Sequence, residues 1–385
     1  MTRDILHDVI IVGAGPIGSY TAYLLAKKGL DVGIIERNNV IAKNINCTGI
    51  ISNECLKKFQ FKKDVILKPI RSIKAFSPSG VFLRYEADIP FAYAIERELF
   101  DTEINRMAQE EGATLYLNTK AKEAIIDKKG FVLRVMTEES EKEISSRVGV
   151  IATGFEFTSL KSALKKPSEY LYGIQTEGIM EDIDDVEVYF GRNIAPGSFA
   201  WIVPTAGKTV RIGLIVKDKP LEYLKKFLQT PNILDRLMYS DYKIKCSPIP
   251  LGSISKSYAQ RLLIVGEAAG QVKTTTGGGI YFGMLCSEIA ADTIYKAFQT
   301  NDYSERLFKQ YEILWKKKID IELKSGLILR SIFSKFSDHQ IDNIIDFARR
   351  DGVLPFIKKS DFDWHRGLAS YLISHILKKR LFHKK

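Results

Sequence analysis

Cysteine is scarce in this 385-residue chain: Cys47, Cys55, Cys246 and Cys286 are all there is, and no C-x-x-C pair occurs. That excludes a disulfide-stapled secreted scaffold and a paired-cysteine zinc site, so the four read as reduced thiols of a cytosolic protein. No apolar run reaches the roughly 18 residues that a membrane span needs. The first working pattern opens at Asp8, so no cleavable leader is expected ahead of it. Histidine is also sparse. His7, His339, His365, His375 and His383 all lie outside the glycine-rich segments, which makes histidine a poor candidate for the acid or base. No internal repeat or low-complexity tract is visible. The protein is expected in the cytoplasm, soluble or peripheral on the inner face of a membrane.

What is present is an ordinary globular balance, 45% hydrophobic and 27% charged, in a chain long enough for one to three domains. Fifty-seven Lys and Arg against 46 Asp and Glu give +11, which calls for an anionic partner: nucleic acid, an acidic membrane face or a phosphorylated substrate. No helix-turn-helix, zinc finger or aromatic–basic RNA pattern supports nucleic acid, and none is expected as a partner. The charge is uneven. Residues 358–385 hold eight Lys and Arg and two acids, a net +6, leaving +5 for the other 357 residues. In that stretch Leu368, Tyr371, Leu372, Ile376 and Leu377 form an apolar stripe ahead of Lys378, Lys379 and Arg380. Such a stripe suits an anionic membrane surface, or equally a helix docked on the body with a solvated basic end.

Residues 8–12, Asp-Val-Ile-Ile-Val, read as a strand buried on both faces of a parallel sheet. They run into Gly13-Ala-Gly15-Pro16-Ile-Gly18, then a helical pattern to Lys28, Gly29 as a stop, and a second strand over 31–36 ending on Glu36. Gly13 permits the tight turn, Gly15 lets the backbone approach a pyrophosphate, and Gly18 lets the helix lie close on the sheet. The helix amino terminus offers N–H groups to phosphate, and Glu36 is placed to accept from ribose hydroxyls, which fits NAD or FAD and disfavours NADP. Two further strands, 147–152 leading to Ala152-Thr153-Gly154 and 261–265 leading to Gly266-Glu267-Ala-Ala-Gly270, separate the two cofactors. A second glycine-rich strand-to-helix turn about 250 residues after the first serves a long, extended cofactor, and FAD is expected. Gly277, Gly278 and Gly279 then open a helix at Ile280.

These residues carry a resemblance. Residues 13–18 with Glu36 and Arg37, Arg97-x-x-x-Asp101, Ala152-Thr-Gly154 and Gly266-Glu267-Ala-Ala-Gly270 look like the FAD-binding set of the para-hydroxybenzoate hydroxylase-like flavoproteins. Within that superfamily, residues 266–283 closely resemble the geranylgeranyl reductase family. Pro196-x-x-Phe199-x-Trp201-x-Val203-Pro204 is similar to its P-x-x-Y-x-W-x-F-P pattern, and Cys47-x-Gly49-x-x-Ser52 to its cysteine motif near the flavin. The likeness runs in motif order from about residue 8 to 330. Phe199 stands where the family has tyrosine, Val203 where it has phenylalanine, and Glu267 where the ribityl turn has aspartate.

The resemblance implies an α/β fold: a Rossmann-like FAD-binding domain of the glutathione reductase type, an inserted antiparallel-sheet substrate domain and a helical C-terminal region. The expected division is residues 1–68, 92–156 and 257–300 for FAD, 69–91 and 157–256 for substrate, and 301–385 for the helical region. Short β-rich stretches around 170–177, 186–191, 199–204 and 209–216 supply the inserted sheet, with 70–85 adding to it.

The implied activity is hydrogenation of isolated C=C bonds in a polyprenyl chain of a lipid, prenyl diphosphate or quinone. Reduced flavin N5 delivers the hydride, and because the alkene lacks a polarising carbonyl an acid must protonate it. Cys47 is the candidate to donate or relay that proton, contacting flavin or substrate; its plain alternative is a small buried apolar residue. Phe199, Trp201 and Tyr281 are expected along an isoprenoid cavity, though Trp201 and Tyr281 equally suit a core. Arg97 is expected on FAD phosphate or ribose, and Lys273 to be solvated rather than to meet a diphosphate head. No second complete nucleotide fingerprint occurs, so the reductant, NAD(P)H or a ferredoxin-like protein, binds transiently. The competing reading is a flavin monooxygenase or halogenase acting on a small aromatic, since the same fold serves both.

Overall fold

The β-branched residues of the first strand, His7–Val12, alternate between two apolar clusters. Val9 and Ile11 enter a cluster shared with the helices, while Ile10 and Val12 enter one on the opposite face. A strand buried on both sides belongs in the middle of a parallel sheet. The computed structural model describes residues 7–43, 45–127, 129–155, 169–240, 243–350 and 362–367. In it His7–Val12 lies between Val32–Ile35 and Glu141–Ile151, both parallel to it; Leu262–Ile264 continues beyond the latter and Thr114–Tyr116 beyond the former. The α/β fold expected from the sequence is the fold observed.

The strand expected over 147–152 is longer, Glu141–Ile151, because its two halves have different partners. Its first half pairs antiparallel with Phe131–Met136, which pairs with Lys120–Ile126; its second half pairs parallel with His7–Val12. Helices Pro16–Ala26, Arg97–Glu110 and Ile280–Thr300 cover one face of this sheet, with Ala22, Leu25, Ile104, Ala290 and Ile294 fully buried.

A second sheet runs in the order Leu237–Ser240, Glu169–Met180, Thr209–Val216, Ala200–Pro204, Val186–Tyr189, Ser72–Phe76, Phe82–Glu86, with Lys245–Leu251 also on Glu169–Met180. The sequence suggests a wholly antiparallel sheet. One pair departs from that: Ser72–Phe76 and Val186–Tyr189 run parallel, because the two strands come from distant parts of the chain and no hairpin joins them. A small third sheet, Ile50–Ser52, Ala92–Ile95 and Ile66–Ile70, lies under the Cys47 loop.

The C-terminal region supplies helices Glu305–Phe333 and Asp338–Arg350. Trp315, Ile319 and Leu323 of the long helix join the first cluster. The apolar stripe and basic end of residues 368–385, like residues 156–168, lie outside the described residues.

Candidate active site

The glycine turns of separated segments meet at the carboxyl ends of the parallel strands. Gly13 takes φ 107°, and a Cβ there would lie 2.5 Å from the Ala152 carbonyl oxygen; a Cβ on Gly18 would lie 1.9 Å from the Gly13 oxygen. Neither position has room for a side chain. Gly15 differs, for nothing lies within 4 Å of where its Cβ would be. Open space beside a helix start with no side-chain cap and Pro16 in its first turn forms a cradle with the N–H groups and room that a pyrophosphate would need.

Glu36 closes this cradle. Its Oε2 accepts from the Ala14 amide at 3.1 Å and its Oε1 from the backbone and side chain of Asn38 at 2.9 and 2.7 Å. A carboxylate accepts about four hydrogen bonds, so capacity for a ribose hydroxyl remains. Arg37, next in sequence, is exposed. Gly154, at φ 65°, faces the Glu267 carboxylate, and Gly266 packs against Ile17 of the first helix. Burial raises the Glu267 carboxyl to about 7, with Arg97 opposing the shift.

Arg97 is buried rather than solvent-facing. Its Nε and Nη2 donate to the two Asp101 oxygens at 3.0 and 2.9 Å, and its guanidinium also engages the Cys47 thiol. Burial opposes its charge, yet Asp101 and Cys47 outweigh that and hold it more firmly protonated than usual. Cys47 is half-buried, and its Sγ accepts from the Gly49 amide at 3.4 Å.

The loop carrying Cys47 is tied to the second sheet on both sides of the thiol. Asn46 donates to the Gly173 carbonyl at 3.0 Å and to Ser247 at 2.9 Å, and Thr48 donates to Gln175 at 3.1 Å. Arg211 reaches over from Thr209–Val216 and donates to the Thr48 and Ile95 carbonyls, both at 2.9 Å. Gly49, at φ 68°, leaves the room this needs, since a Cβ there would stand 2.8 Å from the Arg211 Nη1. Sequence reasoning missed Arg211 because its Thr48 and Ile95 partners lie more than a hundred residues away and it reads as one polar residue in an apolar strand.

Cross-strand pairing puts Trp201, Val203, Arg211, Gly213, Gln175 and Glu177 on one face of the second sheet, the face toward the Cys47 loop. The Trp201 ring crosses Gly213, where a Cβ would be 2.5 Å from it, and Phe199 lies beside it at 5.9 Å between ring centres. Trp201 Nε1 is buried with no hydrogen-bond partner among the described residues. Gly277 approaches Ile215 and Ile249 of the same sheet, so the glycine run and this wall are in contact. Gly278, Gly279 and Ile280 are half-buried beside it.

Three side chains around the glycine run are drawn into the body. Tyr281, open between cavity wall and core, is 5% exposed and packs against Phe59, Phe282 and Trp364, with its hydroxyl donating to Glu54. Lys273, expected to be solvated, is buried, pairs with Asp363 at 2.9 Å and lies 4.7 Å from the Phe362 ring centre. Its carboxylate partner is ninety residues away, so no local pattern announces it. His365 returns to the glycine run, its Nδ1 2.6 Å from the Thr275 hydroxyl. Segment 362–367 thus lies across residues 273–282, a placement without any local sign in the sequence.

Comparison with known proteins places these features. The FAD dependent oxidoreductase family matches residues 8–73 and the tryptophan halogenase family residues 62–323. The digeranylgeranylglycerophospholipid reductase of Methanocaldococcus jannaschii is 34% identical over 359 residues, 89% of this chain and 90% of that protein. Its namesake from Methanosarcina acetivorans is 29% identical over 89% of this chain and 88% of that protein. Among solved structures, a geranylgeranyl bacteriochlorophyll reductase-like protein from Thermoplasma acidophilum superposes with TM-score 0.83 at 23% identity, covering 89% of this chain and 91% of its own. A flavin-dependent brominase superposes with TM-score 0.72 at 17% identity, covering 97% and 99%, which shows a shared fold.

Proposed function

The chain belongs to the geranylgeranyl reductase family of FAD-dependent oxidoreductases, and we propose that it hydrogenates isolated double bonds in the geranylgeranyl-type chains of a glycerophospholipid. The observation that carries this reading is the Cys47 loop, held between the dinucleotide cradle and an aromatic sheet wall by Asn46, Thr48 and Arg211. A thiol beside a flavin site and an apolar wall suits protonation of an unpolarised alkene.

FAD is the cofactor, and the residues fit it: Gly13, Gly15 and Gly18 with the first-helix N–H groups for the pyrophosphate, Glu36 for ribose, and Glu267 with Gly154 for the ribityl chain. When bound and reduced, FAD supplies a hydride. Cys47 Sγ gives the proton to the alkene, and Arg97, kept charged by Asp101, stays beside the sulfur as it does so. Phe199 and Trp201 offer flat apolar area to the isoprenoid and exclude water. The flavin residues lie in segments 1–68, 92–156 and 257–300, and the substrate wall in 69–91 and 157–256.

The reductant, NAD(P)H or a ferredoxin-like protein, binds transiently. No helix among the described residues is long and apolar enough to cross a membrane. The basic end of the chain, residues 368–385, is the segment this reading assigns to an anionic bilayer, since 362–367 is packed against the glycine run. The halogenase likeness, at half the identity of the reductase relative, supports a common ancestry of fold rather than a second activity.

Mass spectrometry of lipid extracts from cells with and without the protein tests the reading. Steps of two hydrogens per prenyl unit are expected only with the protein. Unchanged prenyl chains would overturn it, and a flavin-hydroperoxide spectrum on exposing the reduced enzyme to air would favour oxygenase chemistry instead.

A further inference from the structure

The long helix Glu305–Phe333 carries a line of side chains that its packing does not use. On its inner side Trp315, Ile319 and Leu323 are core, and Gly326 sits so close to the glycine run that a Cβ would be 2.3 Å from the Thr274 hydroxyl. On its outer side, over residues 309–328, stand Ile313, Leu314, Ile321 and Ile328, each between 47% and 57% exposed. Lys309, Lys317, Lys318 and Lys324 share that exposed line.

No acid does. Glu312 and Asp320 are only partly exposed and Glu322 is buried, where it accepts from the backbone N–H groups of His365 and Arg366. Asp320 pairs with Lys324 at 2.6 Å, whereas Lys309, Lys317 and Lys318 make no ion pair among the described residues. Lys317, Lys318 and Leu314 also line a shallow groove against Ile289 and Asp292 of helix Ile280–Thr300.

Four large aliphatics along one exposed helix face are stabilised by being covered, and the lysines among them select the cover. A second copy of the same face would set lysine against lysine. An anionic bilayer satisfies both sets, aliphatics at the acyl boundary and lysines at the phosphates. We propose that this outer face of the Glu305–Phe333 helix rests on an anionic lipid bilayer.

The inference deepens the lipid-substrate reading above and rests on it. One placement agrees with it. The opposite side of the helix touches the glycine run, so one helix diameter, about 10 Å, separates the proposed bilayer contact from the site.

The test is sedimentation of the full-length, FAD-loaded protein with phosphatidylcholine vesicles, with and without phosphatidylglycerol. The wild-type protein should sediment with the anionic vesicles only. Lys317→Gln with Lys318→Gln should lower that partition roughly thirtyfold, the share that about two lysines hold at an anionic surface. Ile313→Ser with Ile321→Ser should lower it as well, flavin absorbance and circular dichroism staying unchanged because all four side chains are exposed. Unchanged partition in both variants overturns the inference, as does equal binding to neutral vesicles. A change in the sedimentation of either variant without lipid would mean that a second copy covers the face, and also overturns it. Deleting residues 368–385 separates the two membrane contacts. If deletion abolishes binding while the helix variants bind normally, the tail reading stands and this one falls; the reverse pattern supports the helix face and refutes the tail. The lipid mass spectrometry above judges the substrate reading independently of all these outcomes.

Discussion

Burial of the Glu267 carboxyl between Gly154 and Arg97 has a consequence for pH. Its pKa is raised from an ordinary 4.5 to about 7, so between those values the folded chain keeps a proton that the unfolded chain has released. Stability from this group is therefore present below pH 4.5 and lost as pH rises toward 7. Glu267→Gln should raise the melting temperature of cofactor-free protein at pH 8 by several degrees and leave it nearly unchanged at pH 4.5; an equal effect at both pH values refutes the assignment. Cys47 is tested by turnover. Cys47→Ala should retain FAD and fold but lose about a hundredfold or more in alkene reduction with pre-reduced flavin, the size of a lost general acid. Full turnover would return Cys47 to a packing role. At this scale the sequence was legible where a residue's reason is local. Gly13 and Gly18 need their φ and their space because of the turn they are in. Lys273, His365 and Arg211 were not legible, since burial and partnership came from Asp363, Thr275 and Thr48, none of them a sequence neighbour.

Elements were readable where periodicity is strong. The expected strands near 186–191, 199–204 and 209–216 are observed as Val186–Tyr189, Ala200–Pro204 and Thr209–Val216, and the helix opened at Ile280 continues to Thr300. Direction was not readable. Alternation tells which residues share a face, but nothing in Ser72–Phe76 says that its neighbour is a parallel strand over a hundred residues later. Nor did the sequence foretell how the long C-terminal helix seats on the site. There Arg330 donates to the Thr274 and Thr275 carbonyls at 2.9 Å each, and the Thr274 hydroxyl donates to the Leu323 carbonyl at 2.8 Å. Gly326 is the point of closest approach. Gly326→Val, whose Cβ has no room beside Thr274, should cost about 2 kcal/mol or more in denaturant unfolding and weaken FAD retention. A variant as stable as the parent would show that the helix can lift off the glycine run freely.

For the whole molecule, the flavin site is a convergence of segments rather than a domain read from one end to the other, and FAD should act as a clasp on all of them. With free FAD a hundred times above its dissociation constant, the folded state gains about 2.7 kcal/mol. The melting temperature should therefore climb with FAD concentration and fall on its removal; indifference to FAD would place the cofactor elsewhere. The net +11 and the basic share of its tail were legible in the sequence, while the line of four lysines along one helix face required the fold. The same convergence sets a clock on biosynthesis. The first strand, finished by Val12, cannot gain its inner parallel neighbour until Ile151 has been made, and the next strand of that sheet ends at Ile264. At ordinary synthesis rates of about 5–20 residues per second, that leaves an apolar strand edge waiting on the order of ten seconds as it emerges from the ribosome. A nascent chain of this kind would be expected to need a holdase through that interval, and FAD added during translation could not lock the structure until the second glycine turn had followed.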